Sequence, residues 1–248
     1  MNILEIFTSI QGEGCFTGVP SVFVRFGGCN LRCVFGRSIC DTAYSSFNVE
    51  ESKYNTIEGV CDEIMNVCGK ATHLVFTGGE PLLQRDVLKD IINMLWMKYR
   101  KDFTVTVETN GTLPAIDPWD SEDGARHHID LWSISPKLST SVDVFCSILT
   151  PEQRDRHDKI RINPESLATY SNMIQLKFVY SGRMCIDEIK SIIPMLKKEP
   201  ESIQLMPEGQ VNEQLNIIQQ ECAQVCIEEG WRYCDRLHIR IWGDKRCV

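Results

Sequence analysis

Short apolar runs alternate along the chain with segments whose apolar residues recur every three or four positions. The short runs predict strands at 21–26, 73–76, 103–108, 129–134, 174–180 and 202–206. Helical spacing joins Ile57, Val60, Cys61, Ile64, Val67 and Cys68, and then Val87, Leu88, Ile91, Ile92, Leu95 and Trp96. It returns at Ile186, Ile189, Ile193 and Leu196, and again from Leu215 to Val225. Strand and helix in alternation predict βα units and a mostly parallel sheet, an α/β fold. The segment 112–128 breaks the alternation, with Pro114, Pro118, an acidic turn at 120–124 and no helical stripe, so a crossover helix is expected to be missing there. About six strands with a reduced set of helices suggest a partial, open TIM-like barrel instead of a closed eight-stranded one. No linker, repeat or low-complexity tract divides residues 1–248, which read as a single domain.

Polar motifs fall at the ends of the predicted strands. Gly27-Gly28-Cys29 follows the first, Thr77-Gly78-Gly79-Glu80 the second, Glu108-Thr109-Asn110-Gly111 the third and Ser135-Pro136-Lys137 the fourth. Lys177-Phe178 lies late in the fifth, and Met206-Pro207-Glu208-Gly209 follows the sixth. Parallel sheets bind ligands at the carboxyl ends of their strands, so six distant segments are expected to meet at one site.

A net charge of −8 argues against a protein that grips nucleic acid, since that affinity comes from Lys and Arg on phosphates. The first residues lack a signal-peptide pattern, and no apolar run reaches the roughly 18 residues of a membrane span, so a soluble, cytoplasmic protein with no membrane partner is expected. Twelve cysteines in a chain of 248 residues, most of them scattered singly, fit a reducing compartment better than a disulfide scaffold. Cys61, Cys68, Cys222 and Cys226 lie on apolar helical stripes and are expected to pack as small hydrophobes, as are Cys146, Cys185 and Cys234.

Cys29, Cys33 and Cys40 stand apart, within twelve residues of one loop. Three close thiolates can hold three corners of a 4Fe-4S cluster and leave the fourth iron open to a small molecule. Zinc would want a fourth ligand, for which Cys15 and His73 are candidates on other elements. Between Cys33 and Cys40 no periodicity appears, which predicts a wrapping loop, neither helix nor strand.

Cys29-Asn30-Leu31-Arg32-Cys33, the third cysteine with Asp41-Thr42, and Gly78-Gly79-Glu80 resemble the cluster loop and the cofactor segment of radical S-adenosylmethionine (SAM) enzymes. The spacing here is C-x3-C-x6-C where that superfamily usually has C-x3-C-x2-C, and Ile39 stands where an aromatic often precedes the last cysteine. Leu4 to Phe7, Ile10 to Gly14, Phe23 to Leu31, Cys40 to Thr42, Thr77 to Gln84, Glu108 to Gly111, Ser135 to Lys137, Gln175 to Phe178, Leu205 to Pro207 and Trp242 to Arg246 together resemble the 7-carboxy-7-deazaguanine synthase family, in order along the whole chain. That family tolerates unusual cysteine spacing.

The resemblance implies a lyase of queuosine-type biosynthesis. A 5′-deoxyadenosyl radical made from SAM takes a hydrogen from C6 of 6-carboxy-5,6,7,8-tetrahydropterin, the ring contracts, and ammonia leaves. It implies a 4Fe-4S cluster on Cys29, Cys33 and Cys40, and Mg2+ held by Thr42 together with the substrate carboxylate. Read without the resemblance, Thr42 would be a helix cap. It assigns Ile10, Gln11, Gly12, Arg25, Thr77 and Val248 to the substrate. It assigns Ile39, Asp41, Gly78, Gly79, Glu80, Glu108, Asn110, Ser135, Lys137, Gln175, Lys177 and Phe178 to SAM. Arg25 would bind the pterin carboxylate through two hydrogen bonds; the other reading of an arginine in an apolar strand is a structural ion pair. Glu80 would otherwise cap a helical turn, and Asn110-Gly111 would be an ordinary turn. A flavodoxin or ferredoxin as electron donor and a homodimer complete the expectation. The alternatives are a glycyl-radical enzyme activase and a non-catalytic iron–sulfur or zinc-binding module.

Overall fold

The computed structural model describes residues 1–36, 38–121, 124–145 and 148–248. Arg37 in the cysteine loop, Glu122 and Asp123 of the acidic turn, and Cys146, expected in the core, lie outside the described residues.

The chain opens with β1 (Ile3–Ile10) and β2 (Pro20–Phe26), followed by a small hairpin of β3 (Val34–Phe35) and β4 (Ser38–Ile39) and the short α1 (Ala43–Ser46). Next come α2 (Ile57–Val67), β5 (His73–Gly78), α3 (Arg85–Tyr99) and β6 (Thr104–Thr109). A second hairpin, β7 (Trp119–Asp120) with β8 (Arg126–His127), leads to β9 (Leu131–Ile134), α4 (Pro151–Ile160) and α5 (Pro164–Leu167). The chain ends with β10 (Met173–Tyr180), α6 (Cys185–Ile192), β11 (Ser202–Pro207), α7 (Asn212–Glu229), β12 (Arg232–Tyr233) and α8 (Leu237–Trp242).

One eight-stranded sheet runs in the order β1-β2-β5-β6-β9-β10-β11-β12. Only β1 is antiparallel to its neighbour; the other paired strands are parallel. The end strands β1 and β12 do not pair, so the barrel is open. All six expected strands are present, and segment 112–128 holds a hairpin and, among its described residues, no helix.

The sheet has eight strands and not six because both edges escaped the apolar pattern. Glu5, Thr8 and Ser9 interrupt β1, and β12 is two polar residues long. Helix α4 also escaped it: of its ten residues only His157 is buried, so it has no apolar stripe to find. Its start is set instead by a capping box between Thr150 and Gln153.

Strand alternation decides which side chains reach the site. On β10, Ile174, Leu176, Phe178 and Tyr180 point into the core with the helices, while Lys177 and Val179 face the cavity described below. Cys61, Cys68, Cys185, Cys222 and Cys226 also lie in that core, and Cys234 is buried. No helix of the described residues is long and apolar enough to cross a membrane.

Candidate active site

A cavity of about 820 Å³ opens at the carboxyl ends of the parallel strands, near the upper end of the size range of small-molecule sites. Five of the six strand-end motifs contribute to its lining directly through the residues assigned to them: Cys29, Gly78 and Gly79, Glu108 and Asn110, Ser135 and Lys137, and Lys177. The sixth adds Met206 to Gly209.

The cysteine loop is built around close backbone contacts. A Cβ on Gly79 would lie 2.1 Å from the Gly28 carbonyl oxygen, and one on Gly78 2.1 Å from that of Phe26, so only glycines let the end of β5 close on the loop. Gly79 N donates to Phe26 O at 3.0 Å and Glu80 N to Gly28 O at 2.8 Å. The six-residue step between Cys33 and Cys40 is not a wrapping loop as expected. It is the β3–β4 hairpin, with Val34 opposite Ile39 and Phe35 opposite Ser38. The hairpin returns the chain so that Cys40 N donates to Cys33 O at 3.1 Å, which brings the second and third cysteines together despite the longer spacing. Phe35 and Ser38 line the cavity; Ile39 does not, and its carbonyl accepts from Gln210 Nε2 at 2.8 Å.

All three thiols line the cavity wall. Burial, first of all, pushes the Cys29 thiol up to about 11 and raises Cys33 and Cys40 as well; nearby negative charge adds to it, from Glu80 and Cys40 at Cys29, from Cys40 and Cys29 at Cys33, and from Asp41 at Cys40. Such thiols ionise only beside a compensating cation, which cluster iron provides. Among the described residues no group of three or more His, Cys, Asp and Glu is arranged around a single metal ion. A structural zinc site is closed by four protein ligands, whereas three cysteines on one loop suffice for a four-iron cluster and leave its fourth iron open. The donor set fits the cluster better than zinc.

Two charge networks flank the loop. In the first, Lys177 Nζ meets Glu13 Oε2 at 2.5 Å, and Arg236 bridges Glu13 (Nε, 3.0 Å), Asp41 (Nη2, 2.5 Å) and the Gly209 carbonyl (Nη1, 2.6 Å). Burial alone would raise both carboxyls, but Lys177 and Arg236 outweigh it at Glu13, and Arg236 at Asp41, so both are held below the ordinary range. Because these folded-state values lie below the unfolded ones, the network's stabilisation is complete above about pH 5 and is lost as the pH falls through about 4 and below. Melting temperature followed from pH 7 to 3 is expected to drop on that acid limb, with a shallower drop in Asp41→Asn; equal slopes would contradict the assignment.

In the second network, Glu5 Oε2 accepts from Arg25 Nε at 2.8 Å and Tyr44 OH at 3.2 Å, while Oε1 accepts from Arg246 Nε at 2.6 Å. Arg246 also makes two bonds to Glu50, at 2.9 and 2.8 Å. Arg25 therefore has the structural ion pair, through Nε alone. Its side chain still lines the cavity, with Phe7 and Tyr44 rings 5.9 and 5.7 Å from its guanidinium carbon. Burial works against the Glu5 charge, and Arg25 first, then a hydrogen bond with Cys247 and the Arg246 guanidinium, more than restore it.

Ile10, Gln11, Gly12, Thr77 and Val248 all line the cavity, and Ser9 Oγ bonds the Val248 carbonyl. Glu108 stands with them: Thr77 Oγ1 donates to it at 2.7 Å, Gln11 Nε2 at 3.2 Å, and Lys177 Nζ is 3.9 Å away. Ser135 and Lys137 line the cavity and bond each other at 2.9 Å. Asn110 closes the turn through Thr112 N at 2.9 Å and also points Nδ2 at Cys29 Sγ, 3.9 Å away. Thr42 precedes α1, but its side chain makes no capping bond and instead lies 3.4 Å from Cys40 Sγ, on the cavity wall.

Besides Ile39, three side chains assigned to SAM do not reach the cavity. Phe178 points the other way along β10, into the core. Gln175 is buried beneath the floor, accepting from Cys15 N at 2.8 Å and Gln204 Nε2 at 3.1 Å and donating to Ser133 at 2.7 Å. Glu80 is fully buried and accepts from Leu82 N at 3.1 Å, Thr109 Oγ1 at 2.8 Å and Asn110 N at 2.8 Å, which makes it the cap and tie of its turn. Its pKa is raised, burial outweighing those bonds. Glu13, Tyr44, Arg236 and His238 are among the cavity-wall residues that pattern reading did not assign, and the buried Glu5 behind Arg25 was not assigned either. Glu13 and Glu5 stood inside recognised strings, whereas Arg236 and His238 lie on or beside the six-residue α8, too short for a periodic signal. His238 packs where a Cβ on Gly12 would go, 2.1 Å from Nδ1.

Residues 23–162 match the model of the radical SAM superfamily. The 7-carboxy-7-deazaguanine synthases of Halobacterium salinarum and Rhodopirellula baltica are each 35% identical over 98% of this chain, covering 90% and 87% of their own lengths. That of Pyrobaculum aerophilum is 30% identical over 99% of this chain and 96% of its own. Among solved structures, QueE from Escherichia coli has the same fold, with a TM-score of 0.63 and 23% identity over 95% of this chain and 93% of that one. By these full-length likenesses the chain belongs to the 7-carboxy-7-deazaguanine synthase family of radical SAM enzymes.

Proposed function

We propose that this chain, as one radical SAM domain, converts 6-carboxy-5,6,7,8-tetrahydropterin to 7-carboxy-7-deazaguanine with loss of ammonia, in queuosine-type biosynthesis. The observation that carries the substrate is Arg25. It is a half-buried guanidinium on the cavity wall, held by Glu5 through Nε, so its Nη edge is available for a planar carboxylate.

Cys29, Cys33 and Cys40 would hold the 4Fe-4S cluster, with SAM over Gly78 and Gly79 beside Asn110 and Ser135. When bound, these groups supply the one-electron chemistry that removes a hydrogen atom from the pterin. The protein's own share is placement and exclusion of water. Thr77, Gln11 and Lys177 fix the Glu108 carboxylate on the cavity wall. Around Arg25 the charges of Arg25, Arg246, Glu5 and Glu50 cancel, so a bound substrate carboxylate leaves one negative charge uncompensated. Mg2+ on the Thr42 hydroxyl would supply the missing cation. The reading takes a flavodoxin or ferredoxin as reductant and a homodimer as the working assembly.

A glycyl-radical activase would have no use for a carboxylate-reading arginine inside the cavity, and a non-catalytic module no use for the cavity itself. The test is to incubate anaerobically reconstituted protein with reductant, SAM, Mg2+ and the carboxy-tetrahydropterin and to look for the deazaguanine by mass. Product is expected from the wild type and none from Cys40→Ala, which also loses the brown cluster absorbance. An intact cluster that yields no product refutes the substrate.

A further inference from the structure

His157, on α4, is buried beneath the cysteine loop and belongs to none of the cavity-wall networks. Its ring bridges two segments far apart in sequence. Nδ1 lies 3.1 Å from the backbone N of Arg32, which stands between Cys29 and Cys33, and Nε2 lies 3.0 Å from Ser141 Oγ. The direction of each bond follows from counting protons. Ser141 Oγ has one hydrogen and gives it to the Leu138 carbonyl at 2.7 Å, so it accepts from Nε2–H. Nδ1 then carries the lone pair, the only partner a backbone N–H could have there. The result is a one-way chain from Arg32 N–H through the imidazole and Ser141 to Leu138 O. Burial, and then the neighbouring Arg161, hold the ring far below its usual range, at about 4, in keeping with a neutral acceptor.

The same helix grips the other side of the site. Arg161, directly after α4, donates to the Lys137 carbonyl at 3.0 Å, next to the residue where the His157 chain ends. A helix with no apolar stripe therefore tethers both the cysteine loop and the Ser135–Lys137 segment through hydrogen bonds.

We propose that His157 is a positioning residue for the iron–sulfur loop: its Nδ1 fixes the Arg32 amide between two cluster ligands and so sets the loop's shape before iron arrives. This rests on the assignment of the cluster to Cys29, Cys33 and Cys40. Partners that orient metal ligands typically change metal retention by about 10–100-fold when lost, and hydrogen bonding around the sulfurs tunes the cluster electronically.

The test compares His157→Asn with His157→Gln in the full chain, reconstituted anaerobically, by the rate of iron transfer to a ferrous chelator and the EPR spectrum of the reduced cluster. Asn places an acceptor oxygen near the Nδ1 position and can serve the Arg32 amide; Gln reaches toward Ser141 and cannot. Asn is expected to keep the wild-type rate and spectrum, while Gln releases iron roughly 10-fold faster with an altered spectrum. Equal rates in the two variants, fast or slow, or faster release from Asn, overturn the proposal. His157→Leu, which keeps the bulk of the ring and removes the acceptor, gives a second reading if Gln does not fold: iron release is expected to be roughly 10-fold faster than from Asn, and an equal rate overturns the proposal. A wild-type chain that takes up no cluster overturns the cluster assignment, and this inference with it.

Discussion

Arg236→Met is expected to lower the unfolding free energy by about 3–5 kcal/mol, the usual cost of removing one partner from a buried ion pair. For a chain of this size that is a fall of roughly 6–20 °C in melting temperature. The side chain is 10% exposed and makes three short contacts, to Glu13, Asp41 and the Gly209 carbonyl. Glu13 keeps Lys177 when the guanidinium goes, but Asp41 loses its principal cation and the carbonyl loses its donor. The cost therefore concentrates at Asp41, beside the third cysteine. Adding Asp41→Asn to Arg236→Met is expected to restore part of the loss, because an amide has no charge to strand. Urea unfolding of the three proteins checks this. A single-variant loss under about 1 kcal/mol, or no recovery in the double variant, shows that the network does not hold the loop.

The six central strands were legible because each is buried on both faces or nearly so, and a continuous apolar run is the signature of that environment. The site was legible to the same extent as its strand ends, since parallel connectivity brings those ends together without further information. The parts that were not legible depend on contacts between residues far apart in sequence. Arg236 reaches Glu13 and Asp41 across 223 and 195 positions, and His157 reaches Arg32 across 125. Strand β1 was hidden because its buried Glu5 breaks the alternation, and that break has a structural partner: the residue pairs with Arg25 of the neighbouring strand, opposite it in register. The β3–β4 hairpin has only two paired positions, too few for a period, yet it explains how a longer cysteine spacing keeps the same loop closure. Phe178 was misplaced for the opposite reason: it belongs to a recognised string, but strand alternation turns its side chain away from Lys177.

Arg25→Lys is expected to keep the cluster and the fold and to lose about 100-fold or more in kcat/KM. Three features of the wild-type arrangement are lost together. Lysine has no Nε to give Glu5 while presenting a second edge to the cavity, and its ammonium is a point charge without the two parallel donors that match a carboxylate. The Phe7 and Tyr44 rings that flank the planar guanidinium give no such fixed orientation to a flexible stem. The carboxylate nearest to the new ammonium is Glu5 itself, so the charge is drawn into the wall and away from the substrate. Losing a charge-assisted pair of bonds at about 1.5–3 kcal/mol corresponds to one to two decades. The misdirected cation and the displaced substrate put the expectation at the upper end. Stability changes little, because Glu5 retains Arg246 and Tyr44 and gains the lysine as a replacement partner. Steady-state turnover against pterin concentration, with iron content measured on the same samples, separates these effects. Turnover within threefold of the wild type at equal iron would remove Arg25 from the substrate site. A variant that loses iron together with activity would show instead that this arginine supports the loop through Glu5 and Tyr44.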